Sequence, residues 1–245
     1  MSALDERMYQ AYVSTHTGPA DGSSTRFIYR RDIRPCLPAG AAGATVLDIG
    51  SGQGELVRLL SADGFAAEGV DVSAEQVALA HAAGLSQVRL GDFHARLGTA
   101  DSAWDAVIAT DVLEHLGADE ILRTFDEVSR ALRPGGVFIA RVPNAVSPTG
   151  GHLMFGDITH RTWFTQRSVR QLAAAAGFAT VRVFACPPPA HGLTSAVRAA
   201  LWKPISGMLK LSLAAETGQL RGHIVTHNLT FTARREPVPQ RSPGR

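Results

Sequence analysis

Between Ala44 and Val142 the sequence alternates short apolar runs with stretches of helical periodicity, and no other feature restricts the fold as strongly. A strand that is apolar throughout is buried on both faces, and the helical stretch that follows it supplies the cover. The pattern predicts a parallel sheet flanked by helices. Strands are expected at Thr45–Ile49, Ala66–Val70, Gln87–Leu90, Ala106–Thr110 and Val137–Val142. Helices are expected to start near Glu55, Ala74 and Ala118, the last turning Ile121, Leu122, Phe125 and Val128 inward at i, i+3 and i+4 spacing. Arg133-Pro134-Gly135-Gly136 should end it.

Downstream, Thr165 is placed to cap a helix over Gln166–Ala176, with Gly177 just past its end. Thr180–Ala185 and His223–Ala233 read as two more strands that would close the sheet. Between them Cys186-Pro187-Pro188-Pro189 breaks the pattern, and Leu193–Ala215 reads as an amphipathic helix interrupted at Pro204 and Gly207. Arg198, Lys203, Pro204 and Lys210 exclude a membrane span, which needs about 20 nearly uncharged residues. The expected organisation is a helical lid over residues 1–40, a sheet domain over 41–235 with a helical insert at 187–222, and a disordered tail over 236–245. The lid would carry Tyr9, Tyr12, Phe27 and Tyr29 around a Ser/Thr/Gly-rich connection from Ser14 to Thr25.

The formal charge of +2 conceals an asymmetry: residues 1–140 hold 11 Arg against 19 Asp or Glu, net −8, whereas 141–245 hold 13 Lys or Arg against 3, net +10. The basic half suits an anionic acceptor or a membrane surface touched by residues 193–215. Its basic residues are mostly Arg without interleaved aromatics, so no nucleic-acid partner is expected. Two cysteines, Cys36 and Cys186, are too few for a disulfide framework or a zinc site. The acidic start Met1–Glu6 lacks the basic opening of a secretory leader, and a cytoplasmic location, in part at the inner membrane surface, is expected.

Gly50, Gly52 and Gly54, with Ser51 among them, follow the first strand where a parallel sheet places ligands at its carboxyl edge. The dinucleotide fingerprint needs a glycine three residues after the second; Glu55 stands there instead. Glu55 and Asp48 together suit a cationic ligand with an amino group better than a diphosphate. Asp71, at the end of the second strand beside Val72, can accept hydrogen bonds from both hydroxyls of a ribose. Asp92 is placed to take an adenine amino hydrogen, with Phe93 against the ring, and Thr110 ends the fourth strand on the same edge.

In order along the chain stand V-L-D-I-G-S-G-Q-G-E at Val46–Glu55, G-V-D-V-S at Gly69–Ser73, G-D-F at Gly91–Phe93, D-A-V-I-A-T-D-V-L-E-H-L at Asp105–Leu116 and L-R-P-G-G at Leu132–Gly136. This series resembles the motifs of class I S-adenosylmethionine-dependent methyltransferases over about a hundred residues. The resemblance implies a Rossmann-like, doubly wound α/β fold: a seven-stranded sheet, mostly parallel with an antiparallel last strand, and helices on both faces. It also implies S-adenosylmethionine as cofactor, with Asp48 and the glycines at the methionine part, Asp71 at the ribose, and Asp92 with Phe93 at the adenine.

Methyl transfer from a sulfonium is an in-line displacement, so a protein has mainly to align the two partners and remove a proton from a hydroxyl acceptor. Asp111 and His115 follow the fourth strand, and His160 lies in the polar and aromatic segment Gly151–Thr165 after the fifth; these three are the candidate proton acceptors. His152, Asp157 and Arg161 are candidate acceptor contacts, and the H-x4-D-x2-H spacing of His152, Asp157 and His160 matches no metal-ligand pattern. The D-x-T-H-x-x-x-F-T run at Asp157–Thr165 and Thr226-His227-Asn228-Leu229 resemble bacterial methyltransferases of surface-polysaccharide and lipopolysaccharide synthesis. That likeness implies a sugar hydroxyl or a similar small hydroxylated acceptor. The competing readings are an N- or C-methyltransferase, a nucleotide-dependent oxidoreductase, and a cofactor-binding protein without catalysis.

Overall fold

In the computed structural model, residues 8, 22–38, 42–188 and 193–237 are described. Seven strands form one sheet in the order β3-β2-β1-β4-β5-β7-β6. They are β1 (Thr45–Ile49), β2 (Ala66–Asp71), β3 (Val88–Leu90), β4 (Trp104–Thr110), β5 (Leu132–Pro143), β6 (Thr180–Ala185) and β7 (Asn228–Arg234). β1 to β5 run parallel, while β7 pairs antiparallel with both β5 and β6, which matches the expected fold class. Strand order reverses at β1, where one crossover leads to β2 and the other side is taken by β4. The crevice at their carboxyl ends is therefore the ligand position the topology favours.

Two layers of side chains hold the helices to this sheet. On one face, Phe125 of α5 (Ala118–Ala131) is fully buried and stacks on Phe231 of β7 at 5.7 Å between ring centroids. Its edges meet Phe138 of β5 at 5.4 Å and Phe178 at 6.2 Å. On the other face, Leu56 and Leu60 of α2 (Glu55–Ala62) pack with Val46, Ile108 and Ile139. Tyr29, Ile33 and Leu37 join that second cluster. Residues 22–37 thus belong to the core of the domain, running through α1 (Ser23–Ile28), a π-helical turn Tyr29–Ile33 and a 3-10 turn Arg34–Cys36. Tyr9, Tyr12, residues 14–21, Pro189 and residues 238–245 lie outside the described residues.

Several expected elements shift, each for a local reason. β5 starts at Leu132 instead of Val137, because Leu132 pairs with Trp104 and Val137 with Ala106, so Arg133-Pro134-Gly135-Gly136 bulges inside the strand. Gly135, at φ +80°, absorbs the turn. Leu122 faces outward on α5, 39% exposed, while Ile121, Phe125 and Val128 are buried. β7 begins at Asn228 and not at His223, since the Asn144 side-chain amide donates to the carbonyls of Ile224 and Thr226 and holds that approach outside the ladder.

α3 (Ala74–Ala82) is as expected, and two short helices were not legible: α4 (Phe93–Gly98) and α6 (Gly150–Met154). Thr165 caps α7 (Gln166–Ala175) through its hydroxyl, which accepts from the Ser168 N–H at 3.1 Å, and Gly177 has φ +75°. α8 (Leu193–Thr217) runs unbroken through Pro204 and Gly207. Both residues are exposed, so the carbonyl that Pro204 leaves without an amide partner can turn to water. Its outer face shows Val197, Leu201, Ile205, Met208 and Leu211, flanked by Arg198, Lys203 and Lys210. Among the described residues no helix is long and apolar enough to cross a membrane.

Candidate active site

The loop from β1 to α2 is shaped by close contacts. Gly50 has φ +67°, and a Cβ there would sit 2.4 Å from Val112 Cγ2. Gly54 has φ +78°, and its Cβ would meet Leu85 and Val88 at 2.8 Å. These two glycines let the loop press against the segment after β4 and let α2 close on the sheet. The N–H of Gly52 donates to Asp71 Oδ2 at 2.8 Å, while Asp71 Oδ1 accepts from the Ser73 N–H at 2.8 Å. Asp71 therefore fastens both loops.

Asp48 is 2% exposed at the end of β1. Burial, reinforced by the Asp71 charge, pushes its carboxyl well above the usual carboxylate range. A buried carboxylate of this kind is relieved by a ligand ammonium. Nearby, the Ser51 and Thr110 hydroxyls are buried and make no hydrogen bond among the described residues. Two carboxylates and two unsatisfied hydroxyls around glycine backbone fit the amino acid and ribose parts of S-adenosylmethionine. Glu55, the other expected anion, forms an ion pair with Arg58 at 2.6 Å.

The state of Asp48 has a measurable consequence. An acid whose folded pKa is raised binds more protons folded than unfolded, so stability falls as pH climbs from the ordinary carboxylate range through the raised value. Asp48→Asn should unfold at a higher temperature than the native chain at pH 8, with the gap closing toward pH 4. Thermal melts of the two proteins at both pH values, without ligand, measure this; each pKa unit of displacement corresponds to about 1.4 kcal/mol.

A second pole forms after β4. Asp111 has a left-handed backbone, φ +55°, and accepts from Arg141 Nη1 of β5. Arg141 is a strand neighbour of Thr110, and its buried Nε has no hydrogen-bond partner among the described residues. Glu114 is 1% exposed, and its Oε2 has none among them either. Burial first, and then the neighbouring Asp111, raise its carboxyl well above the usual range.

Two histidines adjoin it, with His115 and His160 in edge contact at 4.7 Å between centroids. The Thr159 hydroxyl donates to Asp157 Oδ1 at 2.6 Å and lies 2.8 Å from His115 Nδ1. Having spent its only proton on Asp157, the hydroxyl receives the proton of His115 Nδ1, which leaves the lone pair on Nε2. His160 Nδ1 likewise faces the Leu153 carbonyl at 3.1 Å, so its lone pair is also on Nε2. Burial, and next the nearby His160, lower the His115 pKa. The Glu114 carbonyl accepts from the N–H groups of Arg161 at 2.7 Å and Thr162 at 3.0 Å, which brings the His160 loop back to β4.

Both poles open into one cavity of about 830 Å³. Of the expected donor residues, Asp48, Gly50, Ser51, Gly52 and Thr110 line it. Gly54, Asp71 and Val72 are not part of that lining, and Asp92 caps α4 by accepting from the His94 N–H at 2.9 Å. Phe93 packs its ring 4.3 Å from His94 and also lies outside the lining. Asp111, His115 and His160 all reach the cavity, as do His152 and Asp157, whereas Arg161 does not. Glu114, Arg141, Gln76, Ser24, Thr25 and Ile28 line it as well and were not foreseen. Glu114 and Arg141 had a signal: each is a charged residue inside an apolar run.

A family profile described as a methyltransferase domain matches residues 24–183. An uncharacterized methyltransferase of Mycolicibacterium vanbaalenii is 33% identical over 123 residues, 49% of this chain and 46% of that protein. The ubiquinone biosynthesis O-methyltransferase of Paramagnetospirillum magneticum is 30% identical over 148 residues, 55% of this chain and 57% of that one. The chain thus spans about half the length of the curated relatives it matches. Among solved structures, a SAM-dependent methyltransferase from Archaeoglobus fulgidus superposes with a TM-score of 0.69 at 17% identity, covering 94% of this chain and 99% of its own. Phosphoethanolamine N-methyltransferase 2 of Haemonchus contortus, solved with S-adenosyl-L-methionine, gives 0.61 at 18% identity over 94% of this chain and 60% of its own. With more than half its length inside the family profile, and with a seven-stranded mixed sheet that superposes on such enzymes, the chain belongs to the class I S-adenosylmethionine-dependent methyltransferases.

Proposed function

We propose that the chain catalyses O-methylation, using S-adenosylmethionine and a sugar, glycan or similar small hydroxylated acceptor. The observation that carries this reading is the meeting, in one cavity, of the donor pole at Asp48, Ser51 and Thr110 with two imidazoles whose Nε2 atoms bear lone pairs. Bound S-adenosylmethionine supplies an electrophilic methyl group. As the new O–CH3 bond forms and the S–CH3 bond breaks, the hydroxyl proton must leave, and the His115–His160 pole is where this chain can dispose of it. An amine acceptor that is already neutral needs no such pole, which is why oxygen is preferred to nitrogen. Asp111 is committed to Arg141 and acts by setting the charge of the pole. The likeness to an O-methyltransferase of ubiquinone biosynthesis supports the same choice. The net charge of +10 over residues 141–245 favours acceptors that carry negative charge.

Calorimetry tests the donor half. S-adenosylhomocysteine should bind one per chain and NADH should not; tight binding of NADH alone would overturn the reading in favour of an oxidoreductase. Incubation of the protein with labelled S-adenosylmethionine and a fractionated bacterial extract, followed by mass analysis, tests the acceptor half. The label is expected on an oxygen, and its appearance on nitrogen or carbon would refute the assignment.

A further inference from the structure

Glu114, His115 and His160 each offer one ligand atom, and the three atoms lie within 4.8 Å of one another. From this cluster we infer that the acceptor pole is a binding site for one first-row divalent transition-metal ion, held by the Glu114 carboxylate and the two Nε2 atoms. Bonds of about 2.1 Å place ligand atoms roughly 3–4 Å apart, so a small rotation of the half-exposed His160 ring closes the set. Residues 46 positions apart in sequence arrive there through backbone contacts, because the Glu114 carbonyl holds the Arg161 and Thr162 amides.

Two independent features point to an ion. Glu114 is 1% exposed and lines the cavity, and among the described residues its Oε2 makes no hydrogen bond. A buried carboxylate oxygen without a partner is costly, and a cation bound beside it removes that cost. Both imidazoles also have their far nitrogen engaged: His115 Nδ1 through Thr159 to Asp157, and His160 Nδ1 at the Leu153 carbonyl. A carboxylate or carbonyl behind the imidazole is the usual arrangement for metal-ligating histidines, since it fixes the tautomer and aims Nε2 at the ion. Two imidazoles and one carboxylate suit Zn2+, Mn2+ or Fe2+ and are a poor set for Mg2+, which prefers oxygen.

Three protein ligands leave coordination positions open toward the cavity. An acceptor hydroxyl bound there would become more acidic and would be held beside the methyl donor; with both Nε2 atoms on the ion, its proton would leave to cavity water and not to an imidazole. This role rests on the O-methylation reading above, whereas the ion site itself does not.

The test uses the full chain, stripped with chelator and titrated with Co2+, whose visible absorption reports coordination by protein ligands; Zn2+ and Mg2+ then compete. One Co2+ per chain is expected, displaced by equimolar Zn2+ but not by Mg2+. Glu114→Gln and His160→Gln should each weaken binding at least about 100-fold, and Thr159→Val, which removes the hydroxyl that links His115 to Asp157, about 10–100-fold. Thermal melts of the stripped proteins confirm that the variants are folded. Absence of the absorption band, or the same affinity in Glu114→Gln and His160→Gln as in the native chain, overturns the site. Calorimetry with S-adenosylhomocysteine runs in parallel: Co2+ binding without it would leave the ion site standing and remove the methyl-donor reading, and the reverse result would do the opposite.

Discussion

Replacing His160 by alanine should lower turnover about 10²–10⁴-fold, the range associated with loss of a group that handles a proton in the transition state. The ring is half-exposed and packs on His115, so the fold survives its removal. The donor pole is built from the ends of β1, β2 and β4, whereas His160 comes from the segment after β5, so affinity for S-adenosylhomocysteine should be unchanged. Turnover and turnover over KM should fall together, because the interaction that is lost belongs to the transition state. Single-turnover rates with the identified acceptor, measured beside calorimetry, provide the check. Full turnover in the variant would remove His160 from the chemistry and leave the fold assignment intact.

Phe125→Ala should have the largest effect on stability, about 3–5 kcal/mol. The ring is completely buried and is surrounded by Phe138, Phe178 and Phe231, so its removal opens a cavity with rigid aromatic walls. Those walls come from β5, from β7 and from the segment after α7, which cannot close in without breaking ladder bonds. For a chain of this length the midpoint of thermal unfolding should drop by about 6–20 °C. Leu122→Ala, three residues back on the same helix and turned outward, should stay within about 0.5 kcal/mol. Urea melts of the two variants separate a packing effect from a general weakening of α5.

The sheet was legible because its parallel strands are apolar throughout, a pattern set by residues that are adjacent in sequence. The loop proposed for the methyl donor was legible as a loop for a similar reason: a glycine run directly after an apolar strand marks a tight turn into the next helix. Limits appeared where partners are distant. Nothing in the D-V-L-E-H run reveals that Glu114 meets His160, since the contact depends on two amides docking on one carbonyl. The early start of β5 depends on pairing with Trp104, and the delayed start of β7 on a side chain of residue 144. Around Asp92 and Phe93 a short helix was not foreseen, with Asp92 as its cap and Phe93 as its first residue. The unbroken α8 shows how little one exposed proline weighs against 25 residues of helix.

The carbonyl of Glu114, with its two amides from Arg161 and Thr162, has a further consequence for how such a domain can diversify. The stretch between Pro143 and Thr165 is a connection hung between β5 and α7 and tied to the rest of the domain at that peg, at Thr159 against His115, and at Thr162 against Leu116. A different segment grafted between the same two anchors would inherit the methyl-donor half unchanged, provided it returned a pair of amides to that one peptide group. Selection for new acceptors can therefore act on about twenty residues while the nucleotide-binding edge stays as it is.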